Sequence, residues 1–242
     1  MRTRFLRPRL LTRLHSIVIS LWTVFATIVL GLLAICCSLF SKTGNSVHRV
    51  ARLWGASILW ISGIRVTVNG IERISGLRSC IFMSNHQSNF DIPVLLGYLP
   101  GQFRWLAKAE LFKIPIFGRG MRGAGYISID RADRTSAFRS LERAAETIRR
   151  GTAVMIFPEG TRSRDGRLLP FKKGGFVMAV DAQVPIVPIV IRGTHAIMPK
   201  GRLWIQPGPV TVTICRSIDT IGYTRNTKEE VMDRVRRSMQ RA

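Results

Sequence analysis

Between Arg13 and Lys42 the chain carries no Lys, Arg, Asp or Glu. As a helix that gap would run about 42 Å, against a hydrocarbon core of about 30 Å, so the segment is predicted to sit in lipid. A cleavable leader is the rival reading. The apolar run is too long for a leader's apolar region, and Ser41-Lys42-Thr43-Gly44 offers no small-x-small cleavage site. Basic residues lie on both sides of the segment: Arg2, Arg4, Arg7, Arg9 and Arg13 before it, and Lys42, Arg49, Arg52 and Arg65 after it. Positive charge favours the cytoplasmic side, so both ends claim the same compartment. A helical hairpin seated in one leaflet satisfies both, with residues 47–64 as its second arm; a single span is the alternative. The expected location is the cytoplasmic membrane, with the rest of the chain facing the cytoplasm.

Charge points to an anionic partner. The 37 Lys and Arg against 14 Asp and Glu leave a formal net charge of +23, which suits an anionic lipid surface, an acidic protein or a nucleic acid. Charge cannot choose among these, but the apolar segment favours the lipid surface. No recognition helix or aromatic RNA-binding signature stands out, so no nucleic-acid partner is expected. The four cysteines fall in apolar runs, at Cys36, Cys37, Cys80 and Cys215, and read as buried free thiols rather than as a disulfide or metal set.

From Arg65 onward the pattern changes. Short β-rich runs recur at 80–83, 103–106, 126–129, 153–157, 186–191, 203–205 and 210–214, and helical patterns separate several of them. The expected fold class is α/β, a mixed sheet flanked by helices, with the membrane-embedded hairpin or helix before it. The expected division is 1–64 for the membrane helices and 65–242 for the catalytic domain. One helix is expected from Thr135 to Arg150, with Phe138, Leu141, Ala145 and Ile148 at core spacing. A second opens on the capping-box pattern Thr227-Lys228-Glu229-Glu230.

His86 and Asp91, in Asn85-His86-Gln87-Ser88-Asn89-Phe90-Asp91, carry the chemistry. A helix would turn positions five apart to different faces, and a strand would hold them about 16 Å apart, so a contact requires the loop to curl. Asp91 would then accept from one imidazole nitrogen, fix the tautomer and leave the other nitrogen as a base toward a hydroxyl. The bland reading makes Asp91 a helix cap ahead of Ile92-Pro93.

Three further blocks follow: Gly125-Tyr126-Ile127-Ser128-Ile129-Asp130-Arg131, Phe157-Pro158-Glu159-Gly160-Thr161-Arg162-Ser163, and Val184-Pro185-Ile186-Val187-Pro188-Ile189-Val190. In this order and spacing, from about Ser84 to Ile191, the four blocks resemble the motifs of the glycerophospholipid acyltransferase family. The resemblance is strongest to bacterial members that acylate 1-acyl-glycerol-3-phosphate. It implies His86 as general base with Asp91 orienting it, and Glu159, Gly160, Thr161 and Arg162 as acceptor-binding residues. It also implies acyl-CoA or acyl-carrier protein as donor, a lysophospholipid as acceptor, and an N-terminal two-helix membrane motif. Independently, Arg162 is the natural phosphate anchor because a guanidinium grips phosphate with two charge-assisted bonds. Arg131 and Lys108 offer further cations, and the 184–190 block reads as a core or acyl-lining strand. Other acceptors, such as glycerol-3-phosphate at sn-1 or a lyso-aminolipid, would suit the same pair.

Gly118-Arg119-Gly120-Met121-Arg122-Gly123 spells G-x-G-x-x-G but leads into a strand, so a flexible turn is expected there. His195 is read as structural, as are His15 and His48. No serine-nucleophile elbow, H-E-x-x-H helix, P-loop or C-x-x-C pair occurs, and nothing in the motifs calls for a metal or cofactor.

Overall fold

A computed structural model describes residues 9–242 apart from Arg78, Arg131 and Ala132. The basic residues Arg2, Arg4 and Arg7 lie outside those described. Helices α1 (Arg9–Phe40) and α2 (Asn45–Ile61) form an N-terminal hairpin, tied by Trp54 Nε1 donating to Thr27 Oγ1 and Trp22 Nε1 donating to Ser57 Oγ. On α1, Ser16, Ile19, Ala26 and Ala34 are buried. Their spacings of three, seven and eight mark one helical face. The opposite face exposes Leu10, Leu14, Leu21, Phe25, Ile28 and Leu32, where a helix bathed in water would be polar. Among the described residues, one helix is long and apolar enough to cross a membrane, Leu10–Phe40.

Beyond the hairpin come β1 (Arg65–Asn69), β2 (Ile81–Ser84), α3 (Asp91–Tyr98), β3 (Phe103–Lys108), α4 (Phe117–Gly123) and β4 (Ile127–Ile129). After them follow α5 (Arg134–Arg149), β5 (Ala153–Ile156), α6 (Gly174–Ala182), β6 (Ile186–Arg192), α7 (Thr194–Ile197), β7 (Pro209–Ile214) and α8 (Lys228–Arg241). The seven strands form one mixed sheet in the order β1-β7-β6-β2-β5-β3-β4. All neighbours are parallel except β6 and β7.

Cys80 and Phe82 join one core cluster with α2 and α3, whereas Ile81 and Met83 join another with α5, α6 and α8. Successive strand residues point to opposite faces, so a strand covered on both sides must be apolar throughout. That is why β2, β5 and β6 read as unbroken apolar runs.

Three expectations change on contact with the structure. Residues 203–205 are not a strand: Leu203 and Trp204 face outward while Ile205 is buried. The glycine-rich 118–123 stretch is not a turn but most of α4. Its glycines let the backbone approach α1, since a Cβ on Gly123 would stand 2.6 Å from Ser38 Cβ. Helix α8 begins where expected, but Thr227 makes no capping bond; its hydroxyl accepts from Thr224 N instead. In α5 the cap is Asp133, which accepts from Thr135 N; Leu141 and Ala145 face the core and Ile148 is fully buried, while the side chain of Phe138 lies outside what is described.

Candidate active site

His86 lies just past the carboxyl end of β2, and Phe157 to Arg162 follow β5, the neighbouring parallel strand. In open α/β sheets ligands collect at this edge. The loop after β2 curls tightly enough for His86 Nδ1 to lie 2.7 Å from Asp91 Oδ2. The same oxygen accepts from the backbone N–H of Gln87 at 2.7 Å and of Ser88 at 2.9 Å. A carboxylate fed by three donors makes Nδ1 the protonated nitrogen of the neutral ring, leaving the lone pair on Nε2. Asp91 is fully buried, and its ring partner is stacked on Phe157 with centroids 3.9 Å apart and planes 9° from parallel.

The helix-cap reading of Asp91 fails on this geometry. Asp91 is the first residue of α3 and makes no capping bond; its side chain turns back into the preceding loop.

Glu159 is also placed differently from its expected part in holding the acceptor. It is 2% exposed, with Oε1 accepting from His86 N at 2.6 Å and Oε2 from Leu169 N at 2.7 Å. Both oxygens are committed to backbone, and Glu159 is absent from the lining of the adjoining cavity. Burial pushes its carboxyl up to about 7, against the pull of those two donors and with the Asp91 charge acting in the same direction as burial. Ser163 N donates to His86 O at 2.8 Å, so the two strand-end loops are stitched together from both sides of the histidine. Asn85 anchors the first loop to β6 by exchanging two hydrogen bonds with the Ile191 backbone.

His86 opens on a cavity of about 420 Å³, within the usual range of about 300–1,000 Å³ for small-molecule sites. At its polar end stand His86, Lys108, Gly160, Thr161 and Arg162. Farther in, the wall is apolar: Leu30 and Ala34 from α1, Val50, Ala51 and Trp54 from α2, and Phe117 and Met121 from α4. The structure therefore brings His86, Asp91, Gly160, Thr161, Arg162 and Lys108 to one place. Lys108 Nζ pairs with Glu110 at 2.8 Å on the surface. Arg131 lies outside the described residues. The 184–190 block contributes β6, whose Ile186, Val187, Ile189 and Val190 are buried in the core; none of them lines the cavity.

Lys200 escaped the motif reading. It sits in the loop after α7, yet its Nζ donates to Thr161 Oγ1 at 2.9 Å and to the Arg162 carbonyl at 3.2 Å. The only sequence hint was a basic residue two positions past the helix-ending Met198, a weak signal in so basic a chain. Two other histidines, His195 and His48, are held by partners away from the cavity. His195 contacts the Arg164 carbonyl through Nε2, and His48 is fully buried against Tyr126 Oη, where burial holds it down at about 3.

Comparison with known proteins identifies the family. The chain is 38% identical over 217 residues to the chloroplastic 1-acyl-sn-glycerol-3-phosphate acyltransferase of Brassica napus, covering 87% of this chain and 62% of the relative. It is 36% identical to the human alpha enzyme of the same name, covering 79% of this chain and 68% of that one. The chain thus spans less than two thirds of the plant protein's length. The crystal structure of the 1-acyl-sn-glycerophosphate acyltransferase PlsC from Thermotoga maritima superposes with a TM-score of 0.80 at 31% identity, covering 95% of each chain. Residues 65–192 match the family described as Acyltransferase, a stretch that holds the His86–Asp91 pair, the Arg162 loop and six of the seven strands, and the chain belongs to that family.

Proposed function

We propose that this protein moves a fatty acyl chain from an acyl thioester to the sn-2 hydroxyl of 1-acyl-glycerol-3-phosphate, forming phosphatidate. The observation that carries the reading is the pairing of His86 Nδ1 with buried Asp91 at 2.7 Å, beside a cavity polar at one end and apolar at the other. In this scheme Nε2 of His86 takes the proton as the acceptor hydroxyl attacks the thioester carbonyl. The new C–O bond forms, the C–S bond breaks, and the imidazolium returns the proton to the departing thiolate. No covalent acyl-enzyme is needed. Asp91 stabilises the imidazolium, as in other His–carboxylate pairs.

Arg162 and Lys108 would hold the acceptor phosphate, Arg162 through its fork and Lys108 as a point charge. Glu159 acts as a positioning residue that ties the two loops. The apolar wall would take an acyl chain, and the thioester would come from acyl-CoA or an acyl-carrier protein.

The reading extends to the membrane. The apolar face of α1 would lie in the cytoplasmic leaflet with the catalytic domain on the cytoplasmic side. In support, the helix is packed against the domain from Ser16, which bonds to Ile205, to Ser38, which abuts Gly123. A helix standing across a bilayer would have to leave those contacts.

The test is an assay of the purified protein with lysophosphatidate, glycerol-3-phosphate and a lyso-aminolipid, each with acyl-CoA and acyl-carrier protein. Phosphatidate from lysophosphatidate at the highest kcat/KM is expected. Preference for a phosphate-free acceptor would overturn the choice of substrate. A cysteine placed at Gly44 should resist an impermeant reagent in intact cells; labelling there from outside would refute the one-leaflet hairpin.

A further inference from the structure

The loop that leaves α7 presents two large apolar side chains that the described residues leave exposed. Leu203 is 82% exposed and Trp204 46%. Neither belongs to a strand or helix, and neither lines the cavity. Scattered exposed leucines need no explanation, but this pair is not scattered. Ile205, the next residue, donates its N–H to Ser16 Oγ of α1 at 2.8 Å. The Arg13 guanidinium, also on α1, lies 5.4 Å from the centre of the Trp204 ring. Leu203 and Trp204 are thereby joined to the first turns of α1, whose Leu10, Leu14 and Ile17 are exposed as well.

The surrounding charge has one sign. No Asp or Glu occurs between Asp181 and Asp219, while Lys200 and Arg202 immediately precede the apolar pair in the same loop. A half-exposed tryptophan beside basic residues suits the bilayer interface, where the ring takes the boundary between acyl chains and headgroups and the cations meet anionic lipid.

We propose that the 199–205 loop is a second membrane-contact element, inserting Leu203 and Trp204 into the leaflet that receives α1. The occupant is a lipid bilayer carrying anionic headgroups. Because Lys200 in this loop donates to Thr161 and to the Arg162 carbonyl, the element spans from the bilayer surface to the polar end of the cavity. The proposal does not depend on which acceptor the protein uses.

The full chain is reconstituted with phosphatidylethanolamine–phosphatidylglycerol vesicles that include a dibrominated phosphatidylcholine, and tryptophan quenching is recorded for wild type and Trp204→Phe. Loss of a quenchable component in Trp204→Phe is expected; an unchanged quenched fraction would overturn the insertion. In parallel, L203D/W204S should bind the same vesicles about tenfold more weakly, in keeping with the loss of one or two buried apolar side chains. It should keep wild-type turnover of a short-chain, monomeric acceptor. Equal vesicle binding by this folded variant would also overturn the proposal, and Trp204→Phe keeps the question decidable if the double variant does not fold.

Discussion

The two ends of the cavity are built by opposite means. At the polar end, His86, Thr161 and Arg162 stand on loops at the ends of adjacent parallel strands, and those loops are held by backbone N–H groups of Gln87 and His86 donating to Asp91 and Glu159 and by Ser163 N donating to the His86 carbonyl. At the apolar end, the wall is largely a collection of side chains from three helices, α1, α2 and α4, packed on one another, with the Trp54–Thr27 hydrogen bond as a directional tie. The first construction is directional, so one lost atom misplaces the chemistry. The second is tolerant, because hydrophobic burial has no direction and volume can be traded between neighbours. Substitutions at the polar end should therefore act on the rate and on the hold on the acceptor headgroup, and those at the apolar end on which acyl chain is accepted.

The sharpest break in that contrast is His86→Ala. General-base catalysis typically supplies about 10²–10⁴-fold, and kcat should fall by at least that much with vesicle binding unchanged. Asp91→Asn should approach the same loss, because an amide oxygen kept on the three donors stabilises an imidazolium far less than a carboxylate does. Thermal denaturation and kcat measured together decide the case. An Asp91→Asn protein with a lowered Tm and normal kcat would reduce the pair to architecture.

Arg162→Ala comes next. Loss of charge-assisted bonds worth about 1.5–3 kcal/mol each should raise the acceptor KM by roughly 10- to 100-fold, with little change in donor KM. Arg162→Lys should recover only part, since the ammonium restores the charge without the fork. Equal damage to phosphorylated and phosphate-free acceptors would move Arg162 out of the phosphate site.

The apolar end is tested by Ala51→Leu on α2, which adds volume to the cavity wall. Long-chain donors should lose about tenfold in kcat/KM, in line with one to three kcal/mol for overfilling a packed site, while shorter chains keep the wild-type value. A uniform loss across chain lengths would show that the wall and the chemistry are not separable.

The same contrast explains what was legible beforehand. The central strands were readable because burial on both faces forces apolar residues at every position, and His86, Asp91 and Arg162 because directional chemistry needs particular residue types at fixed spacings. The direction of the Glu159 side chain was not readable, since it depends on Leu169 N returning from ten residues downstream. Lys200 reaches the site from a loop with no motif of its own. Helix α4 was missed because glycines lower intrinsic helix propensity, and its support is tertiary packing on α1. Residues 203–205 looked like a strand because an apolar run does not say whether it will pair with protein or meet lipid.

The smallest expected effect concerns how the polar end is held. Glu159 titrates at about 7 in the folded protein, raised by burial, against an ordinary glutamate value of about 4.3 in the unfolded chain. Between those values the folded state binds the extra proton, so the stability of the protein falls as pH rises through the window. The penalty is complete above about pH 7 and relieved as the pH drops toward 4.3. One proton limits the slope to about 1.4 kcal/mol per pH unit. Glu159→Gln removes that titration and sets an amide N–H₂ against a backbone N–H, so the variant should be less stable than wild type by a margin that is widest near pH 5 and narrows toward pH 8. Denaturant midpoints taken across this range give the difference curve directly. A margin that stayed flat across this range would mean that Glu159 is ionised throughout, with the donors of His86 and Leu169 outweighing burial, and the directional end of the cavity would then rest on a buried charge.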